Sequence, residues 1–498
     1  MGKRMPIFYS ALLLTGVNLM LRFVSTSFQV YLSGKIGAAG IGLLQLVLSV
    51  GALAITAGMG GIRTATMYLC AEAVGQNKRE HMKWVLSGCV RYSFILSLSA
   101  GGLLFLFAPQ IAVRWVGDGT VTAAIRLLAC FLPVNCLCGV MIGHYTGINR
   151  IGTLAAVEVA EQIFTMSATI SLLNLWAGQD PAKACQAVIL CGGLGACFTL
   201  VVLLLLQRND TAKNSKRISF RKKLCETAIP LAIADNVKAG ISTTENLMVP
   251  KRLALYSGDI MPLAAFGMIC GMVFPVLMFP AALLFGLVEL LIPELARCNA
   301  AGSTDRIRHL TERSLLLAML YGCFCGGILF LSAESLCIKF YQTAEAGKYL
   351  RCFSVLAPML YCDAIVDAMT KGLGQQKICV RYNILTSAMD VVLLFVLLPR
   401  YGMQGYFFSF LITHMINFLL SIRLLLKLVG KLIAFYRIIF ALIAVVCGIF
   451  TGLLLNGIWQ LIGFGAVFGA LVILLGVVEK NDFSWFKSLV VPQSKQVH

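Results

Sequence analysis

Asn18, Arg22, Ser25 and Gln29 stand at i, i+4, i+7 and i+11 in a stretch that otherwise reads as lipid-facing. Those steps keep all four side chains on one narrow face of a helix. A guanidinium in that setting costs at least ~2.5 kcal/mol if it meets acyl chains, so the face is expected to meet protein or water. The chemistry it offers is recognition of an anion, because guanidinium binds carboxylate and phosphate with two parallel hydrogen bonds. A second stripe, Asp235, Lys238, Ser242 and Glu245 at i, i+3, i+7 and i+10, offers both signs of charge. Asp235 and Lys238 are close enough along a helix to pair with each other, which is the plainer reading of that pair. A cation from each stripe facing a common space would make a chamber for an anionic group, phosphate or diphosphate above all.

Other ionisable groups lie inside apolar runs. Asp363 and Asp367 are one helical turn apart and Asp390 stands alone; each is a candidate for binding a coupling cation or for packing without function. Arg63 and Arg91 fall near the ends of their runs, where long basic side chains snorkel to the interface. Glu158 and Glu161 read as solvated acids at a helix start. Pro133 and Pro358 sit within helix-length runs, where a lost backbone hydrogen bond makes a kink: a hinge, or a fixed bend. Pro275 and Pro280 add a further bend. Cysteines number 18 and histidines 5, without the spacing of a metal site. Phosphate-binding GxxxxGK[ST] loops, GxSxG elbows and Asp-x-Asp pairs are lacking, so the chain is expected not to be an enzyme.

The elements that must position these residues are transmembrane helices. Of 498 residues, 59% are hydrophobic and 13% charged, a balance that suits a polytopic all-α membrane protein. Fourteen runs can each cross a ~30 Å hydrocarbon core. They lie near 6–32, 41–70, 84–108, 124–148, 153–177, 184–206, 225–249, 262–291, 313–333, 347–371, 379–398, 404–426, 432–455 and 458–478. The first is read as a retained span, not a cleaved signal. If the N-terminus is cytoplasmic, most of the 41 Lys and Arg fall in cytoplasmic loops and tails, which places both termini inside. The net charge of +19 then reflects topology and attraction to anionic headgroups. No basic stripe interleaved with aromatics suggests nucleic acid.

The chain also matches itself at an offset of 225 residues. Gly42 meets Gly267, Glu80 meets Asp305, Arg114 meets Lys339, Arg126 meets Arg351, Pro133 meets Pro358 and Gly147 meets Gly372. The text agrees locally: RLLACFLP at 126–133 against RCFSVLAP at 351–358. This pattern reads as a duplication with a pseudo-twofold axis along the membrane normal. The expected domains are an N-lobe of six spans (1–206), a basic cytoplasmic linker (207–224), a C-lobe of six spans (225–430), an extra helix pair (431–478) and a cytoplasmic tail (479–498).

This layout resembles the multidrug/oligosaccharidyl-lipid/polysaccharide exporter superfamily. Local likenesses are SGKIGAAGIGLLQL at 33–46, AIPLAIADNV at 228–237, LMVPKRLA at 247–254 and LLPRYGMQGYFFSFLIT at 397–413. Together they look most like the stage V sporulation protein B branch of the polysaccharide-type flippases. The resemblance implies a two-lobed bundle in a bacterial cytoplasmic membrane. It implies movement of a polyprenyl-diphosphate-linked saccharide to the outer leaflet by alternating access, with cell-wall synthesis enzymes as partners. It places Arg22 in a cavity-lining role and requires no cofactor beyond a coupling cation, Na+ or H+. A cation-coupled multidrug exporter of the same superfamily is the first alternative, and a non-transporting membrane scaffold the second.

Overall fold

Inside a bilayer every backbone N–H and C=O must find a partner within the chain, so apolar runs of this length become helices. The computed structural model describes residues 7–75, 82–178, 180–207, 221–258, 261–430 and 435–478, and every regular element among them is helical. The helices are α1 (Ile7–Met59), α2 (Ile62–Gly75), α3 (Met82–Gln110), α4 (Thr122–Gly147), α5 (Ile151–Leu172), α6 (Pro181–Gln207), α7 (Arg221–Leu253) and α8 (Pro262–Met268). They continue with α9 (Phe274–Met278), α10 (Ala281–Ala300), α11 (Thr304–Tyr341), α12 (Ala344–Ser354), α13 (Ala357–Gly372), α14 (Gln376–Val429), α15 (Phe435–Leu453) and α16 (Ile458–Leu474). Short π-helical turns extend α3 (Ile111–Val116) and α5 (Leu173–Ala177) and join α8 to α9 (Ile269–Val273).

Eight of the described helices are long and apolar enough to cross a bilayer, or ten if each of two bent pairs is one span. The protein is therefore a multi-pass membrane protein. The fourteen runs read from the sequence exceed that number for physical reasons. α14 holds two of the fourteen, and α1 holds the first with most of the second; they are broken at Gly402 (φ 56°) and Gly37 (φ 68°), in the left-handed region that glycine enters without strain. Both glycines belong to the stretches quoted above, 33–46 and 397–413. α7 carries a charged stripe that lowers its hydropathy, and α16 is 17 residues long. The run at 41–70 is not one helix: Gly60 and Gly61, both at positive φ, separate α1 from α2. Of the linker expected at 207–224, residues 208–220 lie outside the described residues, while Gln207 ends α6 and 221–224 begin α7; the tail at 479–498 lies outside them too.

Packing divides the chain into two units, Met1–Met272 with Ser387–Tyr406, and Val273–Thr386 with Phe407–His498. α7, α8 and a segment of α14 thus pack with the N-terminal helices. In the first unit a core of Ile62, Leu69, Val85, Val140 and Tyr145 joins α2, α3 and α4, and the Tyr145 hydroxyl donates to the Leu203 carbonyl at 3.0 Å. In the second unit α11 packs against α12, α13, α15 and α16. Phe324 of α11 stacks on Phe464 of α16, with centroids 5.9 Å apart.

The 225-residue offset recurs in these contacts. A β-carbon placed on Gly101 would come within 2.9 Å of the Ala129 carbonyl oxygen, and one on Gly326 within 2.9 Å of that of Ser354. A β-carbon on Gly147 would meet the Met67 carbonyl and Cys70 Cβ; one on Gly372 would meet the Ile292 carbonyl and Leu295 Cβ. Arg126 lies over the Phe105 ring at 5.4 Å, and Arg351 over the Phe330 ring at 5.9 Å. Gly42 and Gly267 pack against each other's segments: a β-carbon on Gly42 would strike the Leu263 carbonyl, and one on Gly267 the Ala38 carbonyl. Each residue in these pairs stands 225 positions from its counterpart.

The prolines differ between the copies. Pro133 lies inside a continuous α4. Pro358 starts α13, which is bent by 56° from α12. A second bend, of 63°, separates Pro262–Met278 from Ala281–Val288, with Pro280 as the N-cap of the following helix.

Candidate substrate pocket and acid pairs

Gly61 decides where the pocket forms. A β-carbon there would come within 2.6 Å of the Ala228 carbonyl oxygen and 2.8 Å of the Ala232 amide nitrogen, so α7 lies directly on the break between α1 and α2. One turn further along, the helices part around a pocket of about 380 Å³. Thr56 and Met59 of α1, Arg63 and Thr64 of α2, and Asp235, Lys238 and Ser242 of α7 line it. Three of the four stripe residues expected on α7 are therefore brought to one space, and Asp235 and Lys238 both remain exposed to it. Two cations against one carboxylate, with three hydroxyls, are a set of groups that can hold an anion and hydrogen-bond its ester or sugar oxygens.

Arg63 corrects the sequence reading. Two residues past the Gly60–Gly61 break, it lines the pocket together with Lys238, which the snorkelling reading did not anticipate. Glu158 and Glu161 are correspondingly not simple solvated acids. Both are half-buried, and Glu161 accepts the Thr199 hydroxyl at 2.6 Å.

The stripe on α1 has separate surroundings. Arg22 is half-buried and is not among the residues lining this pocket. The amide of Gln162 on α5 donates to the Ser25 hydroxyl at 2.5 Å, which ties α1 to α5. Gln29 approaches Gly271, and its Nε2 is buried without a hydrogen-bond partner among the described residues. The side chain of Asn18 lies outside the described residues.

Glu245, the fourth residue of the α7 stripe, turns away from the pocket to a different group. Its carboxyl adjoins that of Asp390 on α14. Cys270 and Tyr406 adjoin the pair. α7 is fastened here by the Thr243 hydroxyl, which donates to the Ser49 carbonyl at 3.1 Å, and by the Asn246 amide, which donates to the Ser49 hydroxyl at 3.0 Å.

No protein-family model matches the chain. In sequence it is similar to sporulation protein YkvU of Bacillus subtilis (strain 168), at 20% identity over 278 residues, which is 53% of this chain and 61% of that relative. In structure it is similar to a multidrug resistance MATE family transporter of the MOP superfamily in an inward-facing conformation, with TM-score 0.64, 15% identity, and coverage of 84% of this chain and 100% of that one. It is similar to the lipid II flippase MurJ in an inward closed conformation, with TM-score 0.66, 12% identity, and coverage of 97% and 100%. A further MOP superfamily transporter, from Pyrococcus furiosus, matches with TM-score 0.60 and 15% identity over 85% of this chain and 96% of that one.

The chain has the fold of the multidrug/oligosaccharidyl-lipid/polysaccharide exporter superfamily.

Within this MOP fold the remaining acids do not gather into one centre. In the second unit Asp363 of α13 accepts the Asn417 amide of α14, with Nδ2 at 3.0 and 3.3 Å from its two oxygens. Asp367 is neutralised one turn away by Lys371, 2.5 Å distant. The three aspartates considered for cation coupling thus have three different partners: a carboxyl, an amide and an ammonium. Spacing along one helix could not reveal the Glu245–Asp390 contact, because 145 residues separate its members. The signal for Arg63 was the Gly60–Gly61 pair just before it.

Proposed function

We propose that this MOP-fold protein is a flippase that moves a polyprenyl-diphosphate-linked saccharide across a bacterial cytoplasmic membrane by alternating access, and that it performs no covalent chemistry. The observation that carries this reading is the convergence of Arg63 and Lys238 in one pocket with Asp235, Thr56, Thr64 and Ser242. A diphosphate matches two cations, and the hydroxyls match a saccharide. In the proposed topology fourteen spans form two six-helix lobes about an axis along the membrane normal, with both termini cytoplasmic. The reciprocal packing of Gly42 and Gly267 supports that axis, since a twofold makes residue i meet j and j meet i. α15 and α16 form the extra pair. Pro358, at a 56° bend, is the hinge we favour over Pro133, which lies in a continuous helix. Arg22, with Asn18, Ser25 and Gln29, is proposed as a further cationic face of the chamber. Enzymes of cell-wall synthesis would supply and consume the cargo.

The adjoining Glu245 and Asp390 carboxyls are where we place a coupling cation, Na+ or H+. The same pair would serve a multidrug exporter, so cargo has to be tested directly. Proteoliposomes containing the full chain are given a fluorescent polyprenyl-diphosphate saccharide in one assay and a cationic dye in another. We expect translocation of the lipid, its loss in Arg63→Ala and Lys238→Ala, and no dye efflux. Dye efflux without lipid translocation, untouched by either substitution, would replace the flippase with an exporter.

A further inference from the structure

A second pocket, of about 400 Å³, opens between α1 and α3, away from Arg63 and Lys238. Val50, Leu53 and Ala57 from α1 and Ala100, Leu103 and Phe107 from α3 form its walls. The alanines keep its floor shallow, while Leu103 and Phe107 stand 58% and 51% exposed at its rim. From Ala100 to Arg114 it runs about 20 Å along α3 at 1.5 Å per residue. That is somewhat more than half of a ~30 Å hydrocarbon core, or one leaflet. Charge is confined to one end, at Arg114, where Trp115 also lines the groove.

That end is built by the π turn Ile111–Val116, closed by Gly117 in the left-handed region at φ 90°. Lys251 of α7 donates its ammonium to the Arg114 carbonyl, which ties α7 to this turn. Asp118, the carboxylate closest in sequence, is engaged by the amide and hydroxyl of Thr120 at 2.9 and 2.7 Å. A groove one leaflet deep, apolar along its length, with a guanidinium and an indole at its mouth, has the layout of a lipid turned headgroup-outward.

We propose that this groove holds one acyl chain of an anionic phospholipid of the surrounding bilayer, with the headgroup phosphate on the Arg114 guanidinium. The site goes beyond the transport reading and needs only that the chain spans a bilayer. An anionic lipid bound here sits on the residue whose carbonyl is held by Lys251 of α7, the helix that carries the substrate-pocket stripe.

Trp115 reports on its own groove. The full chain is reconstituted in phosphatidylcholine vesicles doped with phosphatidylglycerol or phosphatidylcholine brominated near the ester end of the acyl chain. The signal of Trp115 is taken as the difference between wild type and Trp115→Phe. We expect brominated phosphatidylglycerol to quench it at about fivefold lower mole fraction than brominated phosphatidylcholine. Arg114→Gln should erase that preference, Arg114→Lys should retain it, and Ala57→Phe should fill the groove and remove the quenching by both lipids. Equal quenching by the two headgroups in wild type overturns the proposal. So does an unquenched Trp115 in a chain that cross-links as a dimer, which would make a second copy the occupant. Displacement of the brominated lipid by an added polyprenyl diphosphate would assign the groove to the cargo instead. No transport is measured, so this result and that of the flippase assay stand or fall separately.

Discussion

The α3–α4 region of the first packing unit and the α11–α13 region of the second are held together in the same way, yet they carry different chemistry. Gly101 and Gly326 each admit a carbonyl from the following helix. Arg126 and Arg351 each cover a phenylalanine ring on the preceding one. Gly117 and Gln342 each close a helix in the left-handed region. In contrast, the counterparts of Arg63, Lys238, Glu245 and Asp390 are Val288, Leu13, Met20 and Thr165. Contacts between backbones tolerate nothing larger than hydrogen, so both copies keep them. Groups that meet a solute are free to diverge, because an asymmetric cargo has no use for a symmetric site. In the proposed reading, duplication supplied the frame and single-copy residues supply the function.

The largest expected effect is on the side of chemistry. Removing both cations, Arg63→Ala with Lys238→Ala, should reduce lipid translocation at least about 30-fold, the equivalent of ~2 kcal/mol or more for a desolvated charge contact. Val288→Ala, at the position matching Arg63, should leave translocation near wild type. Equal losses in the two would break the comparison.

Next comes the acid pair. Glu245→Gln and Asp390→Asn should each flatten the dependence of translocation on pH and Na+, with a loss on the order of tenfold. Carboxyls that adjoin and serve one ion act as a unit, so the double variant should be no worse than the stronger single one. Additive losses would show that the two carboxyls work independently.

On the side of the frame, the effects should be smaller and matched. Gly147→Ala and Gly372→Ala push a β-carbon against a backbone carbonyl in each copy, and each should lower stability by about 1–3 kcal/mol. Thermal unfolding in detergent compares them directly, and a large shift in one with none in the other would mean that the copies no longer share their packing. The smallest effect belongs to Arg126→Gln and Arg351→Gln. Each gives up a cation–ring contact of about 0.5–1 kcal/mol, read as a minor drop in the same unfolding midpoint.

Much of this was legible in the sequence, and for reasons that are local. An apolar run long enough to cross a bilayer has to be helical, because lipid offers no partner to an open backbone. A stripe at i, i+3 and i+7 has to share a face, which is why Asp235, Lys238 and Ser242 arrive together in one pocket. Identity at a fixed offset marks positions under the same steric constraint, and the glycine contacts at 225 residues follow from it. Tertiary structure alone decided the rest. Arg63 looked like an interfacial anchor until two left-handed glycines broke the helix before it and α7 came to lie on the gap. Glu245 and Asp390 looked like separate acids until packing brought their carboxyls side by side. Spacing along one helix encodes which residues face the same way; which other helix they face depends on how closely backbones can approach, and that is set by the packing of the whole molecule.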